Sequence, residues 1–403
     1  MKPRILILGG NFAGLHAAFE LHHTLKEKAD VTVIAPEDNF VFLPSLIWVV
    51  TGRCPPKRIS FDLRTALEPR GINFIHQHAE KIDPENNHVK TCMGEFEYDY
   101  LVIATGADPD WDAVPGLGPY TGHSHYVCSV PWASTAQHAW RRLIDDPGPV
   151  IVGATQSTGC YGLGYEMVLN LEYSLRKDKQ RTGSDIPITF VTSEPFLGHL
   201  GMGGVGNVKE VLEDLFQELH IDWKTNAMTE EITSDTVRLG DGTTIPFKYA
   251  LYLAPFKGRK LIFDSPGVGD ERGFIPVNDR YQHTTFPNIY AAGVAVQVKQ
   301  PEKTQVPCGV PKTGYMSDVM GKVAAQNIEA DILGKPPRDL PFADIQLLCI
   351  MDGGDKAVSL MGDRVFPPRK REVVKVGSMW HLAKLMFERY YMWKVRSGRI
   401  YLP

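Results

Sequence analysis

The sequence predicts an α/β protein in which two Rossmann-like domains follow one another and a membrane-interface region ends the chain. Three observations support this fold class. Residues 4–34 read as strand, glycine turn, helix and strand, a βαβ unit that implies a parallel sheet. A second strand and turn begin near residue 149, and the composition becomes basic and aromatic after residue 366.

Length and composition restrict the class of protein. The 403 residues allow two or three domains, and the 43% apolar and 22% charged residues are typical of a globular chain. The net charge of −4 does not indicate nucleic-acid binding. The sequence contains no run of about 18 apolar residues, so no helix is expected to span a bilayer. No secretory signal precedes the first strand, which favours the cytoplasmic side.

The first turn resembles a dinucleotide-binding fingerprint. Gly9 and Gly14 occupy its first and last glycine positions, and Asn11 replaces the middle glycine. Because Asn tolerates positive φ better than most residues, we expect a looser turn that still binds a dinucleotide. A helix is predicted over residues 15–28. A doubly wound domain that binds no nucleotide is the alternative.

The second turn keeps less of that fingerprint. Only Gly153 matches, because Thr155 and Thr158 occupy the other two glycine positions. The close approach of backbone to a pyrophosphate would therefore be lost. A helix is predicted over residues 165–176. The sequence thus predicts a retained fold element without a nicotinamide-nucleotide site.

Three dispersed cysteines, Cys128, Cys160 and Cys349, indicate thiol or sulfur redox chemistry in a chain that starts with a nucleotide turn. Small buried apolar residues are the alternative interpretation. Cys160 lies near a predicted helix start, where the helix dipole favours a thiolate. Six cysteines are too few for a disulfide-stapled scaffold, and none are spaced as CxxC, so neither a zinc site nor a thioredoxin motif is expected. Structural roles are expected for Cys54, Cys92 and Cys308.

Further segments resemble the FAD-contacting parts of flavoproteins with two dinucleotide-binding domains, the pyridine nucleotide-disulfide oxidoreductase superfamily. One is the turn Ala104-Thr105-Gly106, and another is Ala291-Ala292-Gly293, which is followed by Val294 where most members have Asp. The resemblance implies that FAD is the cofactor and that the Lys312 ammonium stabilises anionic reduced flavin. The implied FAD-binding residues are Gly9, Asn11, Gly14, Ala104, Thr105, Gly106, Gly293, Lys312, Thr313 and Gly314.

Within that superfamily the chain resembles the sulfide:quinone oxidoreductases over residues 4–397. The segments that carry the resemblance are residues 128–130, 153–160, 192–201 and 311–316, Cys349, residues 381–384 and Phe387. The implied division is a discontinuous FAD-binding domain (1–115 and 275–335), a second Rossmann-like domain (116–274), and a C-terminal redox-cysteine and quinone region (336–403).

The resemblance implies that sulfide reduces FAD and that two electrons pass to a membrane quinone. HS⁻ would attack a Cys160–Cys349 bridge and leave a persulfide on Cys160. The released Cys349 thiolate, which needs a lowered pKa, would pass the electron pair to the flavin. Cys128 would handle polysulfide or attach FAD covalently, and this choice stays open. His199 is a candidate proton carrier, with a structural histidine as the alternative. Trp132 stands where the family has a second histidine.

The tail predicts attachment to a membrane surface. Residues 379–391 combine apolar, aromatic and basic side chains, as interfacial helices do, and Trp393 and Tyr401 add rings suited to the headgroup level. Nine basic and two acidic residues after position 366 favour anionic lipid. A core helix with a basic solvent face is the alternative. The resemblance places quinone against Phe387, Lys384 and Ile350, in a peripheral and homo-oligomeric protein.

Three rival functions remain at this point. A type II NADH:quinone oxidoreductase would need an intact second glycine turn, which Thr155 and Thr158 interrupt. The flavin subunit of a flavocytochrome sulfide dehydrogenase would lack the basic aromatic tail. A non-catalytic flavoprotein scaffold would have no reason to carry three cysteines at redox positions.

Overall fold

The computed structural model describes residues 2–178 and 180–400, so the predicted interfacial ring of Tyr401 lies outside the described residues. The helices are α1 (Phe12–Leu25), α2 (Leu46–Val50), α3 (Leu63–Leu67), α4 (Val130–Asp145), α5 (Tyr161–Lys177), α6 (Val208–Glu218), α7 (Lys260–Phe263), α8 (Gly314–Leu333) and α9 (Ser378–Arg396). The strands are β1 (Arg4–Leu8), β2 (Asp30–Ala35), β3 (Asn39–Val41), β4 (Ser60–Asp62), β5 (Asn73–His76), β6 (Ala79–Asp83), β7 (His88–Thr91), β8 (Gly94–Glu97), β9 (Tyr100–Ile103), β10 (Asp108–Pro109), β11 (Val150–Ala154), β12 (Ile188–Thr192), β13 (Ile221–Lys224), β14 (Thr229–Ile232), β15 (Thr236–Leu239), β16 (Thr244–Pro246), β17 (Tyr249–Leu253), β18 (Phe256–Lys257), β19 (Ile289–Ala291), β20 (Leu347–Asp352), β21 (Ala357–Gly362) and β22 (Glu372–Gly377).

The first sheet is parallel, in the order β19-β9-β1-β2-β5. Its strands come from two stretches of chain, because β19 joins strands that lie more than 180 residues earlier. Helices α1 and α8 pack against each other, and a Cβ on Gly321 of α8 would lie 2.3 Å from the Ala13 carbonyl oxygen. This close approach brings the starts of both helices to the same end of the sheet.

The second sheet is also parallel, in the order β13-β12-β11-β17. Strands β11 and β17 are buried along their whole length, as expected when both faces of a parallel sheet are covered. Helix α5 follows β11 directly and packs on this sheet. The end of β11 and the start of α5 therefore form the second βα turn.

A third sheet is antiparallel, in the order β20-β21-β22. Two helices from distant parts of the chain, α5 and α9, pack against it. Helix α9 packs on all three strands, and α5 of the second domain packs on β20. The C-terminal helix is thus held against the element that follows the second turn.

The predicted α/β fold class with two Rossmann-like units is confirmed. The domain boundaries stay predictions. The first helix starts at Phe12 instead of residue 15, because Asn11 caps it with its side-chain oxygen. The turn does not use the tolerance of Asn11 for positive φ: its φ is −107°, and Gly9 makes the left-handed turn at +114°. The second helix starts at Tyr161, four residues before the prediction.

Candidate active site

The first turn is closed so tightly that it requires glycine at both ends. A Cβ on Gly9 would lie 2.3 Å from the Ala104 carbonyl oxygen, and one on Gly14 would lie 2.0 Å from the Gly9 carbonyl oxygen. Any side chain at either position would push backbone apart. Without side chains at these two positions, backbone at the start of α1 can be approached closely, which suits a diphosphate.

The neighbouring turn at residues 104–106 carries a buried hydroxyl without a protein partner. This group is the Oγ1 of Thr105, while the Thr105 carbonyl accepts a hydrogen bond from Arg259 Nε at 3.2 Å. Buried polar groups are almost always paired, so an unpaired one beside a glycine turn indicates a polar ligand. The orphan hydroxyl and the adjacent helix start fit a dinucleotide such as FAD.

The start of α8 reaches the same place. Thr313 caps this helix by accepting the Met316 N–H at 3.3 Å, and a Cβ on Gly314 would lie 2.8 Å from the Phe12 ring. Gly293 adopts a φ of +77° and packs against Ala13. These predicted cofactor residues therefore surround one site, although they come from distant parts of the chain.

Lys312 points into the protein, which changes its predicted role. Its Nζ donates to the carbonyl oxygens of Val294 and Val296 at 2.9 and 2.8 Å, and it lies 4.3 Å from the centre of the Phe274 ring. Burial lowers the pKa of Lys312 to about 7. These contacts hold the segment after Gly293 and do not leave the ammonium free for reduced flavin.

The second turn is filled by its own side chains. The hydroxyls of Thr155 and Thr158 lie 3.2 Å apart, and both donate to the Leu253 carbonyl oxygen, at 3.0 and 2.8 Å. Both threonines are fully buried. The loop at residues 306–310 covers the turn, since Gly309 N–H donates to the Thr158 carbonyl oxygen at 2.9 Å. A dinucleotide has no open backbone to approach here.

The three predicted redox cysteines lie together at the start of α5. Cys160 is the N-terminal cap residue of this helix and interacts electrostatically with both Cys128 and Cys349. Cys349 lies on β20 beside the first turn of α5, where a Cβ on Gly162 would be 3.8 Å from its sulfur. The six cysteines all fall within the described residues and are free thiols, so the Cys160–Cys349 bridge stays a prediction.

The expected pKa values of these cysteines are wrong in direction. Burial raises the pKa of Cys349 to about 12, and the Glu166 carboxylate adds to the rise while Lys384 opposes it. Burial also raises the pKa of Cys160, and the charges of Cys128, Glu166 and Cys349 raise it further. The position at a helix start does not overcome this. Both groups are therefore protonated thiols at neutral pH. Either one becomes a thiolate only when an S–S bond to its sulfur breaks.

A buried ion pair beside the cysteines escaped the sequence interpretation. Lys384 of α9 binds Glu166 of α5, and both side chains are about nine-tenths buried. Glu166 Oε1 also accepts the Asp352 N–H at 2.8 Å. Burial raises the pKa of Glu166, although Lys384 lowers it. The partners lie 218 residues apart, so no spacing pointed to them.

Asp352 extends this polar cluster along β20. It accepts a hydrogen bond from Trp48 Nε1 at 2.9 Å and pairs with His381 on α9. His381 and Lys384 are one helical turn apart and therefore share a face of α9. That spacing was the available clue that both side chains face the protein interior.

His199 lies apart from the sulfur cluster. Its Nδ1 accepts the Gly201 N–H at 3.2 Å, so Nε2 carries the proton and donates to Glu302 Oε1 at 2.7 Å. The ring is 2% exposed and the Glu302 side chain 53% exposed. The contacts of His199 are with this loop and with Phe196, not with a cysteine. They favour the structural alternative over the proton carrier.

Helix α9 presents an apolar stripe to solvent, and the basic residues Arg389 and Arg396 are exposed as well. The members of the stripe recur every three to four residues, with Met386 and Phe387 as an adjacent pair: Met379, Leu382, Met386, Phe387, Tyr390 and Trp393. The most exposed is Met379, at 74%. Such a patch indicates a contact with lipid or protein. Across residues 2–178 and 180–400, no helix combines the length and apolar character needed to cross a bilayer.

The predicted quinone residues occupy the inner edge of this stripe. Phe387 is 41% exposed, and its ring lies 6.2 Å from Phe42 and 5.7 Å from Tyr391. Ile350 follows Cys349 on β20 and is half-buried. Lys384 is buried one turn before Phe387. An apolar rim and a buried cation thus lie between the exposed apolar stripe and the cysteines.

Comparisons with known proteins show the family of the chain. The family model for pyridine nucleotide-disulphide oxidoreductases matches residues 3–158 and 194–308. The chain is 36% identical to the sulfide-quinone reductase of Aquifex aeolicus (strain VF5) over 99% of this chain and 93% of that protein. It is 23% identical to a type II NADH:quinone oxidoreductase of Staphylococcus aureus (strain bovine RF122 / ET3-1), over 90% of each.

The solved structures give the same result. The crystal structure of the sulfide:quinone oxidoreductase from Aquifex aeolicus superposes with a TM-score of 0.93 and 36% identity, over 98% of this chain and 92% of that one. The NADH enzyme is a distant relative by comparison. The chain therefore belongs to the pyridine nucleotide-disulphide oxidoreductases and, within them, to the sulfide-quinone reductase family.

Proposed function

We propose that the chain oxidises sulfide at its three-cysteine cluster, with FAD as cofactor, and reduces a membrane quinone beside α9. The observation that carries this proposal is the cluster of Cys128, Cys160 and Cys349 at a helix start from which a nucleotide is excluded. A flavin at the first turn would then receive its electrons from sulfur and not from a pyridine nucleotide.

The cofactor proposal rests on the shape of the first turn and on the family, whose members are flavoproteins. The glycines at positions 9 and 14, the orphan hydroxyl of Thr105 and the start of α8 at Thr313 and Gly314 would hold FAD. When bound, FAD accepts an electron pair on the sulfur side and gives it up to quinone. Lys312 supports this site indirectly, by holding the segment after Gly293.

The sulfur step uses the pair Cys160 and Cys349 in its oxidised, bridged form. HS⁻ attacks the Cys160 sulfur, the S–S bond breaks, Cys160 becomes a persulfide and Cys349 leaves as a thiolate. The electron pair removed from sulfide now resides on the Cys349 sulfur. Burial and Glu166 raise the pKa of this thiol while the Lys384 cation opposes them, so the thiolate released from the bridge is a strong nucleophile.

The quinone step uses the residues between the cysteines and the exposed stripe. Phe387 and Ile350 would contact the ring, and the Lys384–Glu166 pair would hold a proton near a quinone oxygen. Quinone reduction consumes two protons, and burial keeps the pKa of Glu166 above its usual value, which suits a group that exchanges them. This pair replaces His199 in our proton route.

Two cysteine variants test the proposal. In Cys160→Ala and Cys349→Ala, sulfide-dependent quinone reduction should fall to the background rate while flavin content stays that of the wild type. The control is Cys92→Ala, which removes an exposed thiol elsewhere and should retain full activity. Full activity in either site variant would refute the cysteine mechanism. Anaerobic bleaching of the flavin by NADH instead of sulfide would refute the function.

Membrane attachment is tested on the stripe itself. Leu382→Glu with Met386→Glu should abolish flotation with anionic lipid vesicles, because two charges on the apolar face oppose insertion. Met93→Glu changes a residue that is 80% exposed on the β7–β8 turn and should leave flotation intact. Unchanged vesicle binding of the double variant would contradict the membrane role of α9.

A further inference from the structure

Three aromatic rings pack against one another, one of them contacts Cys128, and none takes part in the mechanism above. The ring centres of Trp111 and Tyr126 are 5.0 Å apart, those of Tyr126 and Trp132 are 5.2 Å apart, and those of Trp111 and Trp132 are 5.7 Å apart. All three pairs are edge-to-face, with interplanar angles between 74° and 89°. The rings support one another as a rigid cluster.

The polar end of this cluster points at sulfur. Tyr126 is 1% exposed, and its hydroxyl is hydrogen-bonded to the Cys128 side chain and interacts electrostatically with Cys160. Burial holds the pKa of Tyr126 well above 10, so the phenol keeps its proton at every working pH. It is therefore a permanent O–H donor and does not itself act as a base.

The surroundings of that donor are apolar but not closed. Cys128, Trp111 and Trp132 are each half-buried, so part of their surface stays accessible. Uncharged sulfur atoms are polarizable and pack well against ring edges. A terminal anionic sulfur gains most from a charge-assisted hydrogen bond in such a place. The site combines both features.

We propose that Tyr126, walled by Trp111 and Trp132, binds the anionic end of a persulfide or short polysulfide carried on Cys128. The inference rests on the proposed sulfide oxidation. The Cys128 thiolate attacks the outer sulfur of the Cys160 persulfide, so that one S–S bond breaks and another forms. Cys160 leaves as a thiolate, the sulfane sulfur moves to Cys128, and no net oxidation occurs. Tyr126 stabilises the sulfur anion before and after the transfer.

The test is Tyr126→Phe, which removes only the hydroxyl. After anaerobic turnover with sulfide and quinone, the protein is alkylated, and sulfane sulfur on the Cys128 and Cys160 peptides is measured by mass spectrometry. We expect the Cys128 occupancy relative to Cys160 to fall about tenfold, the size of one hydrogen bond to a charged group. The matched control is Tyr98→Phe, which removes another buried hydroxyl, one without a protein partner.

Each outcome decides the question. Equal Cys128 occupancy in Tyr126→Phe and the wild type overturns the proposal, and so does an equal fall in Tyr98→Phe. Trp132→Phe, which keeps a ring, should preserve more Cys128-bound sulfur than Trp132→Ala, and the reverse order would contradict the aromatic wall. Wild-type turnover is recorded in the same samples. An enzyme that reduces no quinone with sulfide would refute the proposed function, not this subsite.

Discussion

The two βα turns of this molecule have the same position in their sheets and opposite chemistry. The turn after β1 is lined by Gly9 and Gly14 and lies beside an unpaired Thr105 hydroxyl. The turn after β11 is filled by Thr155 and Thr158 and covered by residues 306–310. One fold element can therefore hold a dinucleotide or exclude it. The difference lies in the hydroxyls of Thr155 and Thr158 and in the covering loop at residues 306–310. Cys160 occupies the start of the second helix.

The helices after these turns differ in a similar way. Each carries a buried ionisable pair: His16 of α1 lies 2.9 Å from Asp318 of α8, and Glu166 of α5 binds Lys384 of α9. The first pair joins two helices that pack at the first sheet. The second joins the helix that starts at Cys160 to the helix with the exposed apolar stripe. In the proposed function, the second Rossmann-like unit therefore connects the cysteines with the quinone.

The largest effect is expected from Gly14→Val in the first turn. Its Cβ would lie 2.0 Å from the Gly9 carbonyl oxygen, so the turn must open and bound flavin should be lost completely. Flavin absorbance per chain measures this. The matched change in the second turn, Thr158→Val, should keep the flavin. Equal flavin in both variants would contradict the division of roles between the turns.

Lys384→Met tests the pair after the second turn. It leaves Glu166 buried without its cation, and we expect a loss of about 3–5 kcal/mol in the free energy of unfolding. Chemical denaturation measures the loss, and adding Glu166→Gln should recover part of it. Lys375→Met, at an exposed site on β22, should change little. A similar loss in both single variants would argue against a special role for the buried pair.

Restoring glycines in the second turn should not create a nucleotide site. Thr155→Gly with Thr158→Gly removes two hydroxyl hydrogen bonds to Leu253 and should cost about 1–3 kcal/mol in stability. The loop at 306–310 still covers the turn, so NADH should not bleach the flavin, whereas sulfide should. Bleaching by NADH would show that the two threonines alone exclude the nucleotide.

The smallest effect concerns the pH dependence of Cys349. Since burial raises its pKa to about 12, little thiolate exists at pH 8, and reaction of the reduced protein with iodoacetamide should speed up steadily toward pH 11. Glu166→Gln removes a negative charge that raises this pKa, so alkylation at pH 8 should become faster. Mass spectrometry of the Cys349 peptide follows it, with exposed Cys92 as internal reference. Slower alkylation of Cys349 in Glu166→Gln than in the wild type would contradict the expected effect of the Glu166 charge.

Local chemistry was readable from the sequence. Glycine requirements at positions 9 and 14 arise from neighbouring backbone, and the threonines at 155 and 158 interrupt a pattern that spans six residues. Helix α9 was also predictable, because residues 379–391 combine apolar, aromatic and basic side chains as interfacial helices do. The helix cap at Asn11 was not foreseen, because a left-handed turn and a helix cap both suit Asn, and nothing in the local sequence chooses between them.

Long-range contacts could not be read in this way. Three such contacts depend on how sheets and helices pack. They are the Glu166–Lys384 pair, the contact of Tyr126 with Cys128, and the hydrogen bond by which His199 binds Glu302 away from the cysteines. The pKa values of Cys160 and Cys349 also depend on packing, because burial outweighs the helix dipole there. The sequence by itself determined the two Rossmann-like units, the family and the three cysteines, since these follow from short motifs. Only the tertiary structure decided which charges surround the cysteines and which face of α9 meets solvent, because both depend on burial by residues far away in the chain.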